Sequence, residues 1–165
     1  MAGRGRGKKA QQQVASACPS PTAYAIDMTK SAEDIYVGMA RRSKEAERAG
    51  DYANNHCTTF NMVREAIKRT IANDPLNKKF ALRGELSNIF RIRKGRIRIC
   101  WIASSKLRRV LILFIAETLR KEGDANDPYV IFQNMMDAGK FDELFRQFGV
   151  RMARLRHEGH SGKPH

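Results

Sequence analysis

The sequence predicts an α+β protein in which two N-terminal helices pack on a small, mainly antiparallel, twisted sheet. The first observation is that the spacing of apolar residues changes along the chain from two to a helical period and back to two, which gives the order β-α-α-β-β-β-α. The second is length, because 165 residues suffice for one core and are too few for two ordinary domains. The third is that no apolar run approaches the roughly 20 residues that span a bilayer. We therefore expect a soluble protein without a membrane partner.

The two ends of the chain differ in composition from the middle. Residues 1–21 are rich in Gly, Gln, Ser and Pro, and residues 151–165 are similarly polar and basic. Such segments bury too little apolar surface to fold. The sequence predicts a disordered basic arm over 1–21, a folded domain over 22–150 and a basic tail over 151–165.

The N-terminus and the cysteines indicate the cellular compartment of the protein and whether it binds a metal or cofactor. The basic N-terminus is followed by Gln11, Gln12 and Gln13 where a signal peptide would have its apolar stretch. The three cysteines are odd in number and widely spaced, which favours neither a disulfide framework nor a zinc site. We expect a cytoplasmic protein with reduced thiols and neither metal nor cofactor.

The N-terminal elements follow from the apolar periods. Alternation over residues 22–28 predicts a short strand. Ser31 with Asp34 has the form of a helix N-terminus, and the helix that they begin should end at Gly50. A second apolar stripe predicts a helix over residues 59–72, which places His56 in the loop between the helices.

The second half of the domain predicts a sheet. Phe90 to Trp101 alternate between apolar and arginine positions about a turn at Lys94-Gly95, so the sequence predicts a hairpin with one apolar face and one solvent-facing arginine face. Val110 to Ala116 is apolar on both faces, as a central covered strand would be. One or two short helices follow an acidic linker over residues 122–127.

Positive charge is concentrated in one stretch of the folded domain. Residues 78–121 contain thirteen basic residues against Glu85 and Glu117, for a charge of +11, within a chain whose net charge is +14. Arginine at every second strand position places guanidinium groups about 6 to 7 Å apart, near the spacing of phosphates in an extended single strand. An exposed hairpin face can also be charged merely for solubility, but such faces normally mix acidic with basic residues. The pattern favours a nucleic-acid partner, with RNA as the expectation.

RNA also offers a reaction that needs no metal. The ribose 2′-hydroxyl is adjacent to the phosphate that it can attack. Clustered arginines can stabilise the charge that grows on the phosphorane through electrostatic preorganisation. No histidine or carboxylate pair is needed, and His56 is the one histidine of the predicted core.

Two stretches carry a resemblance to a known family. The hairpin LSNIFRIRKGRIRI, within the predicted order of elements, resembles the RelE/ParE superfamily of toxins from bacterial toxin–antitoxin operons. The later stretch IAETLRKEGDANDPYVIFQNMMDAGK is similar to the ending of the YhaV-type ribonuclease branch. The resemblance covers about residues 22–150 and implies a RelE-like fold, an endoribonuclease activity on mRNA, with or without the ribosome, and a cognate acidic antitoxin.

The resemblance also implies site residues. Arg91, Arg98 and Arg120 match the arginines of the hairpin and of the segment after the last strand, and they are the predicted catalytic residues. The predicted RNA-binding residues are Arg93, Lys94, Arg96 and Lys121. Thr118, Asp127 and Tyr129 also fit the branch pattern; we interpret Asp127 as a helix cap and Tyr129 as a packing residue. The Asn-Asp-Glu signature of the branch is replaced here by Phe114 to Glu117.

These observations predict the toxin of a toxin–antitoxin system that cleaves mRNA by 2′-hydroxyl attack. The alternative is a non-catalytic binder, either a gyrase poison of the same superfamily or an RNA-binding module. The absence of an evident general base favours the binder, and the ending similar to the ribonuclease branch favours the enzyme.

Overall fold

The computed structural model describes residues 22–83, 87–117, 124–125 and 127–149. The predicted arm and tail lie outside these residues. Within the described ranges, four strands and four α-helices follow in the order β1 (Ala25–Met28), α1 (Lys30–Arg48), α2 (Asn55–Glu65), β2 (Phe90–Lys94), β3 (Ile97–Ser104), β4 (Arg109–Glu117), α3 (Pro128–Asp137) and α4 (Asp142–Gln147). A π-helical turn, Ala66–Ile71, continues α2, and a 3-10 turn spans Lys78–Phe80. The predicted order of elements is confirmed.

The four strands form one sheet in the order β1-β4-β3-β2. β2 pairs with β3 and β3 with β4 in antiparallel fashion, whereas β1 pairs with β4 in parallel, beginning with Ala25 opposite Arg109. The sheet is thus mainly antiparallel, as predicted. β4 lies between β1 and β3 and is buried over most of its length, which confirms the interpretation of Val110 to Ala116 as a central strand.

The N-cap of α1 lies two residues before the serine that the sequence pattern suggested. The N-cap is Thr29, whose side chain accepts a hydrogen bond from the Ala32 N–H at 3.3 Å. The same hydroxyl donates to the Leu113 carbonyl on β4 at 3.0 Å. Asp34 forms an ion pair with Lys30 at 2.7 Å instead of a cap. Ser31 and Thr29 are both good capping residues, and the tertiary bond to β4 favours Thr29.

α2 begins earlier than predicted and ends differently. Asn54 caps it by accepting a hydrogen bond from the His56 N–H at 2.8 Å, so His56 lies in the first turn of α2 and not in a loop. Its final turn is π-helical, with the Ala72 N–H bonded to the Ile67 carbonyl five residues earlier. The apolar stripe continues through this turn, which explains why the sequence predicted a single helix to residue 72.

Each face of the sheet carries an apolar cluster. One cluster lies under α1 and α2 and includes Ile97, Ile99 and Trp101. Trp101 is fully buried, and its indole N–H donates to the Pro75 carbonyl at 2.9 Å. The other cluster joins Cys100, Ile102, Leu111 and Leu113 to Phe132 of α3, to Phe141 before α4 and to Phe145 of α4. The helices α3 and α4 therefore cover much of the sheet face that bears the arginines.

Candidate nucleic-acid interface

The β2–β3 hairpin turns at Gly95 and Arg96. Lys94 pairs with Ile97, so the two residues between them form the loop. The sequence pattern predicts the turn one residue earlier, at Lys94-Gly95, and the register corrects this. Gly95 has φ +56, a conformation that residues with a Cβ rarely adopt, and glycine at the first loop position suits a type II′ hairpin turn.

The pairing register brings the predicted arginines together. Arg93 is opposite Arg98, and Arg91 is opposite Cys100. Since side chains at alternate strand positions point to the same face, these three arginines share the face of Cys100. The apolar residues between them belong to the cluster under α1 and α2, on the opposite face of the sheet. The predicted alternation of an apolar face with an arginine face is confirmed.

The arginines differ in their exposure. Arg93, Lys94 and Arg96 are exposed, and Arg91 is half-buried. Arg98, in contrast, is 5% exposed, so the expectation that it faces solvent is wrong. The reason is the segment that leads into α3, since Asp127 lies within 3.5 Å of Arg98, between Oδ2 and Nη1, with its own side chain 2% exposed.

Asp127 is a residue whose contact sequence reasoning missed. Its carbonyl accepts from the Ile131 N–H at 3.1 Å, so it precedes the first turn of α3 as the cap interpretation expected. Its carboxylate, however, pairs with an arginine 29 positions away. An Asp-Pro step before a helix has the same appearance in a sequence whether or not it has a tertiary partner. Only the packing of α3 on the sheet reveals this contact.

Three of the predicted positions cannot be placed. Thr118, Arg120 and Lys121 lie outside the described residues. The described residues on either side of them are both near the hairpin end: Glu117 pairs with Ile97, and Asp127 contacts Arg98. Nothing is described of the side chain of Tyr129.

Cys100 shares the electrostatic environment of these arginines. Burial raises the pKa of its thiol to about 12, although the nearby guanidinium groups of Arg91 and Arg98 act in the opposite direction. The thiol is therefore neutral at physiological pH. Cys100 packs in the apolar cluster beneath the arginines and does not act as a nucleophile.

A separate apolar groove of about 420 Å³ lies between α1, β4 and α3. Its walls include Ile35, Met39 and Met135, and Arg42 and Glu117 are the charged residues along it. A single cation and a single carboxylate do not make a track for a polyanion. The groove therefore lacks the repeated basic residues of the hairpin face. Among the described residues, no group of three His, Cys, Asp or Glu could hold a metal ion.

The fold and the arginine face together define a small α+β protein with a basic sheet suited to a polyanion. The family model that matches residues 27–152 is that of the YhaV toxins, described as toxins with endonuclease activity from toxin–antitoxin systems. The chain belongs to this family, and it is an endonuclease toxin of a toxin–antitoxin system. The predictions of a toxin and of an enzyme are confirmed.

The solved structures include a similar chain. In the RelBE2 toxin–antitoxin complex from Mycobacterium tuberculosis, a chain 18% identical to this one matches with a TM-score of 0.43, over 62% of this chain and 100% of that chain. None of the curated proteins matches the chain. Within the described residues, no helix is long and apolar enough to cross a membrane.

Proposed function

We propose that this endonuclease toxin cleaves mRNA by attack of the ribose 2′-hydroxyl on the adjacent phosphate at the arginine face of the hairpin. The observation that carries the proposal is the register of the hairpin, which brings Arg91, Arg93 and Arg98 together on one face in a chain that belongs to an endonuclease family. Guanidinium groups remain charged at physiological pH and bind phosphate oxygens in pairs. An intramolecular hydroxyl supplies the nucleophile without a cofactor.

The exposed basic residues of the hairpin, Arg93 on the arginine face, Lys94 at the end of β2 and Arg96 in the loop, have the role of substrate binding. Arg93, Lys94 and Arg96 contact phosphates on both sides of the bond that is cleaved, together with Lys121. Arg91 is half-buried and adjacent to Arg93 on the strand, so it binds a phosphate nearer the reacting one. This division follows from exposure, because an exposed and mobile side chain can follow a flexible strand whereas a packed one cannot.

Arg98 and Arg120 stabilise the charge that develops on the phosphorane. Burial gives Arg98 a fixed position, which is the property that preorganised stabilisation requires. Its Nη1 contacts Asp127, and the 5% of Arg98 that remains exposed is the surface that can meet a phosphate. The role of Arg120 follows from the family pattern that it matches.

A cognate antitoxin is implied by membership of a toxin–antitoxin family. We propose that it is acidic and that it binds across the basic hairpin face, in competition with RNA. Charge complementarity of this kind speeds association and excludes the polyanion from the same surface. Coexpression of such a partner should restore growth, and a partner that does so while RNA still binds the face would refute the competition.

The test of the mechanism is cleavage of a short RNA by the purified full chain. We expect products with a 2′,3′-cyclic phosphate or a 3′-phosphate, no effect of EDTA, and no cleavage when the nucleotide 5′ to the cut carries a 2′-deoxy or 2′-O-methyl sugar. Cleavage of the 2′-deoxy substrate, or its dependence on a divalent cation, would overturn 2′-hydroxyl attack. A parallel assay with DNA of the same sequence establishes the choice of substrate.

A further inference from the structure

The ion pair between Arg98 and Asp127 is buried on both sides. Its side chains are 6% and 2% exposed, and it joins β3 to the residue before α3. Two charged groups that are buried lose free energy of hydration, and their mutual attraction compensates for only part of this loss. A buried ion pair is therefore weak evidence for a stabilising role. We propose that Asp127 is a positioning residue of the ribonuclease site, which holds the guanidinium of Arg98 in its working orientation. The proposal rests on the function proposed above.

Electrostatics explains why Arg98 requires such a partner. Arg93 is directly opposite Arg98 on the neighbouring strand, and like charges in directly opposite positions repel. Arg91 adds a third guanidinium, since it and Arg98 both act on the thiol of Cys100. Repulsion from two neighbours would drive the Arg98 side chain out of the face and towards water. The carboxylate of Asp127 opposes this movement.

Asp127 is itself held by the backbone on both sides. Its N–H donates to the Asp124 carbonyl at 2.8 Å, and its carbonyl accepts from Ile131 in the first turn of α3. α3 is in turn fixed to the sheet, because Phe132 stacks on Phe114 of β4 with ring centroids 4.7 Å apart. A carboxylate on so well packed an element can define the position of an arginine more closely than a surface partner could.

Asp127→Asn is the first test, because asparagine has nearly the same shape and caps helices as well as aspartate. We expect kcat for cleavage of a short RNA to fall on the order of a hundredfold, as it does when a catalytic group is displaced by about 1 Å. KM should change little, since the exposed arginines that bind the strand are intact. Asp127→Glu, which keeps the charge, should recover part of the loss in kcat.

A spectroscopic measurement separates positioning from capping. The Nε–H signal of Arg98 in an NMR spectrum should be sharp in the full chain with the native residue and should broaden in Asp127→Asn and in Asp127→Ser, which retains a capping oxygen without charge. The serine variant also serves if the asparagine variant fails to fold. An unchanged Arg98 signal in the variant that folds overturns the inference.

Two matched controls complete the experiment. Asp27→Asn removes the part-exposed ion pair with Arg109, at 2.7 Å, far along the sheet from the hairpin end, and should leave kcat unchanged. Phe132→Leu loosens α3 without touching the pair. If Phe132→Leu loses as much kcat as Asp127→Asn at an equal loss of melting temperature, Asp127 has only a structural role. If Asp127→Asn cleaves RNA as the native chain does while Arg98→Ala is inactive, this inference alone is wrong. If Arg98→Ala is folded and fully active, the proposed role of Arg98 is wrong and so is this inference.

Discussion

Arg93 and Arg98 are direct partners across the β2–β3 pair, yet one is exposed and the other is buried. The difference arises at the hairpin end, where the residue before α3 places a carboxylate against Arg98. Two arginines that look equivalent in the sequence therefore have different physical properties. One can follow a mobile ligand, and the other is a fixed charge.

Replacement of Arg93 by alanine should weaken binding of single-stranded RNA and reduce its salt dependence. Each phosphate contact contributes about 0.7 to the slope of log K against log salt concentration for a single strand, so the slope should fall by about that amount. Fluorescence anisotropy of a labelled RNA at several salt concentrations measures it. Arg69→Ala is the matched control, since Arg69 is an exposed arginine of the π-helical turn paired with Glu65. An equal change in both variants would show that net charge, and not the hairpin face, governs binding.

Replacement of Arg98 by alanine should abolish most cleavage and also destabilise the fold. The sequence alone predicted an arginine on a solvent face, for which the fold would be unaffected. Because the pair is buried, the variant leaves Asp127 without this partner, and the loss of one member of a buried pair typically costs about 3 kcal/mol. The free energy of unfolding from urea titration measures the effect. A loss below about 0.5 kcal/mol, as for an ordinary surface residue, would contradict the burial.

Replacement of Trp101 by phenylalanine should lower the free energy of unfolding by about 2 kcal/mol. The variant removes the donor that satisfies the buried Pro75 carbonyl and leaves unfilled volume beside it. Trp101 is the single tryptophan of the chain, so unfolding of the variant must be followed by circular dichroism. Phe80→Leu alters a ring that contacts Trp101 but keeps the hydrogen bond, and it should cost less.

The thiol of Cys100 should make stability depend on pH in the alkaline range. Its pKa is raised from 9.0 to about 12 by burial, so the folded protein binds a proton that the unfolded chain releases above pH 9. The stabilisation is fully present below pH 9 and is lost as the pH rises towards 12. The difference in free energy of unfolding between the native chain and Cys100→Ala should therefore shrink over this range. A constant difference would show that the thiol is accessible to water in the folded state.

Local patterns in the sequence were sufficient to predict the hairpin. Alternation from Phe90 to Trp101 defined both faces, because side chains on a strand reverse direction at each residue. The apolar stretch of β4 likewise predicted a central strand. Both properties depend only on the residues of the strand itself.

Tertiary contacts account for what the sequence did not predict. The cap of α1 is Thr29 and not Ser31, because the Thr29 hydroxyl also reaches β4. The burial of Arg98 depends on Asp127, 29 residues later. Neither choice can be made from the residues nearby. The roles of Arg120 and Lys121 stay predictions, since these residues lie outside the described part of the chain.

The parallel pairing of β1 with β4 affects how the toxin folds during its synthesis on the ribosome. Ala25 pairs with Arg109, so the first strand of the sheet has no partner until more than one hundred residues have been synthesised. Contacts so distant in sequence form slowly, and a chain that lacks them exposes an unpaired strand edge. The hydrogen bond from the Thr29 hydroxyl to the Leu113 carbonyl likewise can form only after Leu113 has been synthesised. The sheet is therefore completed late in synthesis, and Asp127 can reach Arg98 only after most of the domain has left the exit tunnel.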